Sequence, residues 1–148
     1  MTIFEDLPST NTPINAMNLN NNFNAINSRP YIESAGTSGI WTYRKWSDGI
    51  GECWATYETE TYASSSWGQW GGGLYVIDHA IPRINLPYTF IETPVVNCTP
   101  IPSTGNYWLY TNGQGSTTQT PEWGCARGST LSYDFKAKVH LYVIGKWK

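Results

Sequence analysis

Charge is scarce in this sequence. Only 14% of the 148 residues are Asp, Glu, Lys or Arg, against about 25% in an average soluble domain. The net charge is −2, and the only adjacent basic pair is Arg44–Lys45. No nucleic-acid partner is expected, because such a partner needs a basic footprint that displaces counterions. Long apolar runs are missing as well. None approaches the roughly 20 residues of a membrane helix, so no membrane insertion is expected. The opening residues, Met1-Thr2-Ile3-Phe4-Glu5-Asp6, lack the basic start and apolar stretch of a secretory signal. Synthesis in a cytoplasm is therefore expected, with exit by lysis or within a particle.

Signatures of chemistry are also sparse. The three cysteines, Cys53, Cys98 and Cys125, are odd in number and have no Cys-x-x-Cys or Cys/His metal spacing. They fit buried thiols, or one disulfide with one free thiol. No metal or cofactor is expected. There is no Gly-x-Ser-x-Gly nucleophile elbow. Glycoside hydrolysis needs two carboxylates held about 5–10 Å apart. Nothing in the spacing of Glu33, Asp48, Glu52, Glu58, Glu60, Asp78, Glu92, Glu122 and Asp134 singles out such a pair. Asp48 and Glu52 flank a turn and read as turn and solvent-facing residues. Asp78 and His79 are neighbours on a predicted strand and should face opposite ways. His140 falls on the outward phase of another strand. The chain is therefore not expected to be an enzyme.

Aromatic and neutral polar residues are abundant. Eight Trp and ten Tyr bring the aromatic fraction to 15%, within a hydrophobic fraction of 40%. That suffices for one domain with a core. Each Trp or Tyr offers a large apolar face with one polar atom, which suits sugar faces and subunit interfaces alike.

Two regions follow from periodicity. Residues 1–30 are Asn-rich, with eight Asn between Asn11 and Asn27. Ala16, Leu19, Phe23 and Ile26 nevertheless repeat at 3–4–3 spacing, a coiled-coil seam about one and a half heptads long. Asn15 is positioned to cap this short helix after Pro13, and Pro30 lies just beyond its end. So short a helix is marginal alone. It packs either on its own domain or on symmetry mates, with Leu19, Phe23 and Ile26 as the oligomer interface.

From residue 31 to 148 the period is two. Residues 31–35 read as a strand ended by Gly36. Residues 40–57 read as a hairpin turned at Asp48-Gly49. Residues 58–73 read as loop, 74–77 as a short strand and 81–88 as an irregular crossing. Strands follow at 95–98, at 106–111 before the Asn112-Gly113 turn signal, and at 123–127. The last strand is the clearest: Tyr133, Phe135, Ala137, Val139, Leu141 and Val143 alternate with polar or outward residues. The sum is an all-β fold, an antiparallel β-sandwich of about 6–8 strands preceded by a short N-terminal helix.

Three segments carry a resemblance. Pro13-Ile14-Asn15-Ala16-Met17-Asn18-Leu19-Asn20 resembles the "TPLNAxNLN" opening of many phage tail and baseplate accessory proteins. The stretch from Gly39-Ile40-Trp41 to Glu52-Cys53-Trp54 resembles a "GIWxYRKWSxG…ECW" motif of prophage tail proteins. Val143-Ile144-Gly145-Lys146-Trp147-Lys148 is similar to their "xAIGRWK" terminus. The three lie at the start, middle and end of the chain. Such proteins are similar to receptor-binding or fibre-tip subunits and are commonly trimeric β-sandwiches. A fainter likeness links Phe90 to Val96 and Val143-Ile144-Gly145 to strands of H-type lectins. It implies a fold and carries over no sugar-binding residue.

These readings imply a homotrimeric virion tail protein that meets other phage tail proteins and binds a host surface polysaccharide. The alternatives are a purely structural tail subunit and a stand-alone lectin-like carbohydrate-binding module. Candidate ligand residues are Trp67, Gln69 and Trp70 in the Gly-rich loop, with Trp108 and Tyr110 beside the 112–122 loop. The two loop indoles either stack on a sugar or fold back onto the sandwich. Of Tyr107 and Trp108 only one belongs in the core. Trp41, Trp46 and Trp54 read as scaffold, and Arg44 and Lys45 as cross-strand partners of Glu52.

Overall fold

A computed structural model describes residues 16–101, 107–129 and 132–148, with the side chains of Ala16 and Asn18 excepted. It divides into two compact units, Met1–Tyr31 and Ile32–Lys148.

The described part of the first unit holds one helix, α1, Ala16–Asn27. Its C-terminal turn closes through Ser28 N–H to the Asn24 carbonyl at 2.9 Å and Arg29 N–H to the Ile26 carbonyl at 3.1 Å. The predicted cap Asn15 lies outside the described residues. Leu19 is half-buried, while Phe23 and Ile26 are 52% and 57% exposed.

The second unit is an antiparallel β-sandwich with nine strands among the described residues: β1 Ile32–Ser38, β2 Trp41–Trp46, β3 Ile50–Glu58, β4 Gly68–Gly71, β5 Leu74–Ile81, β6 Val95–Ile101, β7 Trp108–Thr111, β8 Trp123–Arg127 and β9 Lys138–Lys146. One sheet has the order β1-β2-β3-β9-β6 and the other β4-β5-β8-β7. The β2–β3 hairpin turns at Asp48-Gly49 as its sequence requires. Gly49 N–H donates to the Trp46 carbonyl at 3.0 Å, and Asp48 Oδ1 accepts from Ile50 N–H at 3.1 Å. Pro100 sits in β6, an edge strand, where a missing backbone donor is tolerated.

The stretch predicted as loop between 58 and 73 differs. Its second half is β4, joined to β5 through Gly72-Gly73, both at positive φ (60° and 82°). Two successive positive φ values make a two-residue turn whose twist matches the strands, and glycine adopts them without steric cost.

Alternation along β9 extends the core. Phe135 and Ala137, just before β9, and Val139, Leu141 and Val143 within it are all 0–1% exposed, whereas Tyr133 is 46% exposed. Each such buried side chain of Val or Leu size contributes roughly 1.5–3 kcal/mol. One cluster joins Trp41, Cys53, Ala55, Val139, Leu141 and Val143 to Ile81, Phe90 and Trp123 from across the sandwich. A second, at the other end, gathers Trp67, Ile77, Tyr107 and Cys125 around Phe135 and Ala137. Tyr107 is therefore the core residue of its pair and Trp108 the outward one. The three cysteines are free thiols, and burial pushes each up to about 12.

Glu52 corrects the sequence reading, for it is 7% exposed rather than solvent-facing. It accepts hydrogen bonds from Tyr142 O–H at 2.6 Å and Trp46 Nε1–H at 2.9 Å, and pairs with Arg44 Nη2 at 2.9 Å. The Arg44 guanidinium lies over the Trp46 and Trp54 rings, 5.5 and 5.1 Å from their centroids. The outward face of β2, β3 and β9 thus carries a cross-strand polar cluster roofed by indoles. This agrees with the scaffold reading of Trp46 and Trp54.

Candidate functional site

The outer face of the four-stranded sheet has small residues at its centre and aromatics above them. Register places Trp108 opposite Ala126, which pairs with Val76, and Tyr110 opposite Gly124. Trp108 and Tyr110, two apart on β7, share this face. A Cβ at Gly124 would stand 2.2 Å from Tyr110 Cζ, so the Tyr110 ring lies directly on the bare backbone of β8. From the far edge of the sheet Trp70 reaches over to meet it. The two rings are 5.4 Å apart at an interplanar angle of 39°. Trp70 is 62% and Trp108 50% exposed. Large apolar rings left this open on a regular sheet mark an interaction surface more than a packing need.

A polar rim borders this platform. Tyr110 O–H donates to Asp78 Oδ1. Burial, with this bond and the Asp78 charge behind it, pushes the Tyr110 hydroxyl up, so it stays a protonated donor. His79 Nδ1 pairs with Glu122 Oε1, and Asn112 Nδ2 lies 3.3 Å from the same His79 nitrogen. Asn112 N–H closes the base of the 112–122 loop on the Glu122 carbonyl at 2.8 Å. His79 has φ 56°, inside the register shift between Ile77 and Ile81. An unusual backbone of this kind costs energy and tends to persist where the surroundings hold it. The bulge defeats the alternation that predicted opposite faces for Asp78 and His79. Both now serve the same side, Asp78 through Tyr110 and His79 through Glu122.

The predicted ligand residues separate. Trp70, Trp108 and Tyr110 come together. Trp67 does not: it is 7% exposed, with its ring 5.1 Å from Phe135. Trp67 immediately precedes β4 and packs inward, while Trp70, at the register shift between Gln69 and Gly71, goes outward. Gln69 is exposed but alternates with Trp70, so it also points away from the platform. The sequence reading missed Asp78, His79, Asn112 and Glu122. A signal for two of them was present in the Asn112–Glu122 segment, already read as a displayed loop.

Two grooves lie elsewhere. One, of about 460 Å³, is lined by Ile40, Trp41, Tyr57, Arg83, Asn85 and Leu86. The other, of about 490 Å³, runs over β3 and β9 past Thr42, Trp54, Thr56, His140 and Tyr142. Among the described residues, no three His, Cys, Asp or Glu side chains gather as a metal site, and no helix is long and apolar enough to cross a membrane.

The platform's chemistry suits a hydroxylated ring. The indole faces of Trp70 and Trp108 offer flat apolar area to the C–H face of a sugar. Carboxylate, amide and imidazole groups at the rim offer acceptors and donors to its hydroxyls. No protein family, curated protein or solved structure matches this chain.

Proposed function

We propose that this chain is a carbohydrate-binding protein of a bacteriophage or prophage tail, a non-enzymatic module that attaches the particle to a host surface polysaccharide. The observation that carries the binding half is the Trp70–Tyr110–Trp108 platform, exposed on a rigid sheet and bordered by Asp78, His79, Asn112 and Glu122. The tail half rests on the three resembling segments named above. An open platform suits a long, repetitive glycan, which slides across a surface more readily than it enters a pocket. The experiment is retention of the purified chain on an array of bacterial surface polysaccharides. Binding to a discrete set of neutral-sugar glycans supports the reading, and no retention at tens of micromolar overturns it.

Weak single sites gain from multiplicity, since linking them raises avidity by roughly 10²–10⁴. The proposal therefore includes a homotrimer assembled through Leu19, Phe23 and Ile26 of α1, of which the last two are more than half exposed. Light scattering should give a mass near three times 16.6 kDa. A monomer at 100 µM contradicts the trimer. A second reading, a structural subunit that binds only virion proteins, is favoured by the exposed Val95 (71%), Tyr142 (40%) and Ile144 (36%) on the opposite sheet.

A further inference from the structure

Among the described residues, four buried side-chain nitrogens have no hydrogen-bond partner, and three of them belong to Arg127 and Trp67: Arg127 Nε and Nη1, and Trp67 Nε1. The two side chains adjoin, with the Arg127 guanidinium 5.5 Å from the Trp67 ring centroid. Arg127 is 9% exposed. Its Nη2 reaches only Ser129 Oγ, at 3.4 Å. No carboxylate among the described residues forms an ion pair with it: Glu33, Glu52, Glu58 and Glu92 are bound to lysines or to Arg44, and Glu122 to His79. Outside the described residues, segments 102–106 (Pro-Ser-Thr-Gly-Asn) and 130–131 (Thr-Leu) contain no Asp or Glu, and segment 1–15 contains Glu5 and Asp6.

A guanidinium cannot shed its proton in a protein, so Arg127 carries its charge whatever its surroundings. A buried charge without a counter-ion is strongly disfavoured, and so are buried donors left unpaired. Folding would place this residue against Trp67 at less cost if something accepted from it. The position is specific. Arg127 has the parity of Trp123 and Cys125, so it enters the sandwich from the inner side of β8, away from the Trp70 platform. The Trp67 ring supports the flat face of the cation, as indoles do. Its own Nε1–H is a further buried donor without a partner on the adjoining side chain.

We propose that Arg127 and Trp67 form a second binding site, for a compact oxyanion, with Ser129 at its edge. The oxyanion is a carboxylate or phosphate group, arriving as a free inorganic ion or as the acidic substituent of a sugar. It accepts from the guanidinium and the indole N–H and neutralises the buried charge, the pairing that arginine makes best. This site is separate from the neutral-sugar platform and stands or falls independently of it.

The test is thermal unfolding of the full chain in sodium chloride, sodium phosphate and sodium glucuronate at matched ionic strength. At about 100 times its dissociation constant, a ligand of this site should raise the wild-type Tm by about 5–11 °C. A rise with phosphate alone assigns the free ion, and a rise with glucuronate assigns the acidic sugar; either supports the site. Arg127→Gln should abolish the rise, yet in chloride alone should melt at or above the wild type, since it removes an unpaired buried cation. Trp67→Phe, which keeps a ring against Phe135 and removes the N–H, should at least halve the rise and decides the matter if Arg127→Gln does not fold. No rise with either anion, or an equal rise in the variants, overturns the proposal.

Discussion

Trp70→Ala should weaken glycan binding about 30-fold, and Trp108→Ala should do the same, while each shifts Tm by no more than about 2 °C. The first number is the loss of about 2 kcal/mol expected of a central aromatic anchor. The second follows from exposure. Trp70 and Trp108 are 62% and 50% open to solvent, so little core is lost with either ring. Gly124→Ala attacks the same surface from beneath. Its methyl group would occupy the space of the Tyr110 ring, displacing it and breaking its hydrogen bond to Asp78. It should match the Trp variants in lost affinity and add about 1–3 kcal/mol of overpacking strain. Trp67→Phe should leave neutral-glycan affinity unchanged, because Trp67 points into the sandwich. Calorimetric titration with an array-positive glycan reads all four. Full affinity in Trp70→Ala would remove the platform from the site.

Glu52→Ala should be strongly destabilising, at about 3 kcal/mol near neutral pH, or roughly 6–12 °C in Tm. The substitution strands Arg44 between two indoles and leaves Trp46 Nε1–H and Tyr142 O–H without their acceptor. The lower end of the range for broken ion pairs applies, since the Arg44 side chain is 40% exposed. Burial alone would raise the Glu52 pKa. Hydrogen bonds from Tyr142 and Trp46 and the Arg44 charge outweigh it and hold the carboxyl below its ordinary 4.5. A depressed folded-state pKa contributes stability that is complete above the unfolded value and is lost as pH falls through the folded one. The gap between wild type and variant should therefore be widest above pH 4.5 and narrow progressively below it. Urea unfolding at pH 7 and pH 3 measures both, and equal gaps at the two values would contradict the charge-based account of this cluster.

The fold was legible wherever local chemistry and tertiary demand agree. Asp48-Gly49 dictates a hairpin on its own, and the alternation from Phe135 to Val143 needs only one buried face to become a core strand. Elements without apolar alternation were not legible. β4 is glycine-rich and exposed throughout, so it reads as loop, although Gly72-Gly73 already specified the turn that makes it a strand. That one reassignment parts Trp67 from Trp70 and changes which of them meets solvent. Asp78 and His79 resisted prediction because the positive φ of His79 is held by Glu122 and Asn112, some 40 residues away in sequence. Glu52 looked like a turn residue because its burial comes from neighbours on β2 and β9, with Trp46 and Tyr142 arriving from separate strands.

The platform can be observed residue by residue through its indole N–H groups. In an NMR ¹H–¹⁵N spectrum, glycan added to the wild-type protein should move the Nε1–H resonances of Trp70 and Trp108 and leave those of Trp41, Trp67 and Trp123 in place. Shifts confined to Trp46 and Trp54, or shared equally by the buried indoles, would place the glycan elsewhere and contradict the assignment of this face.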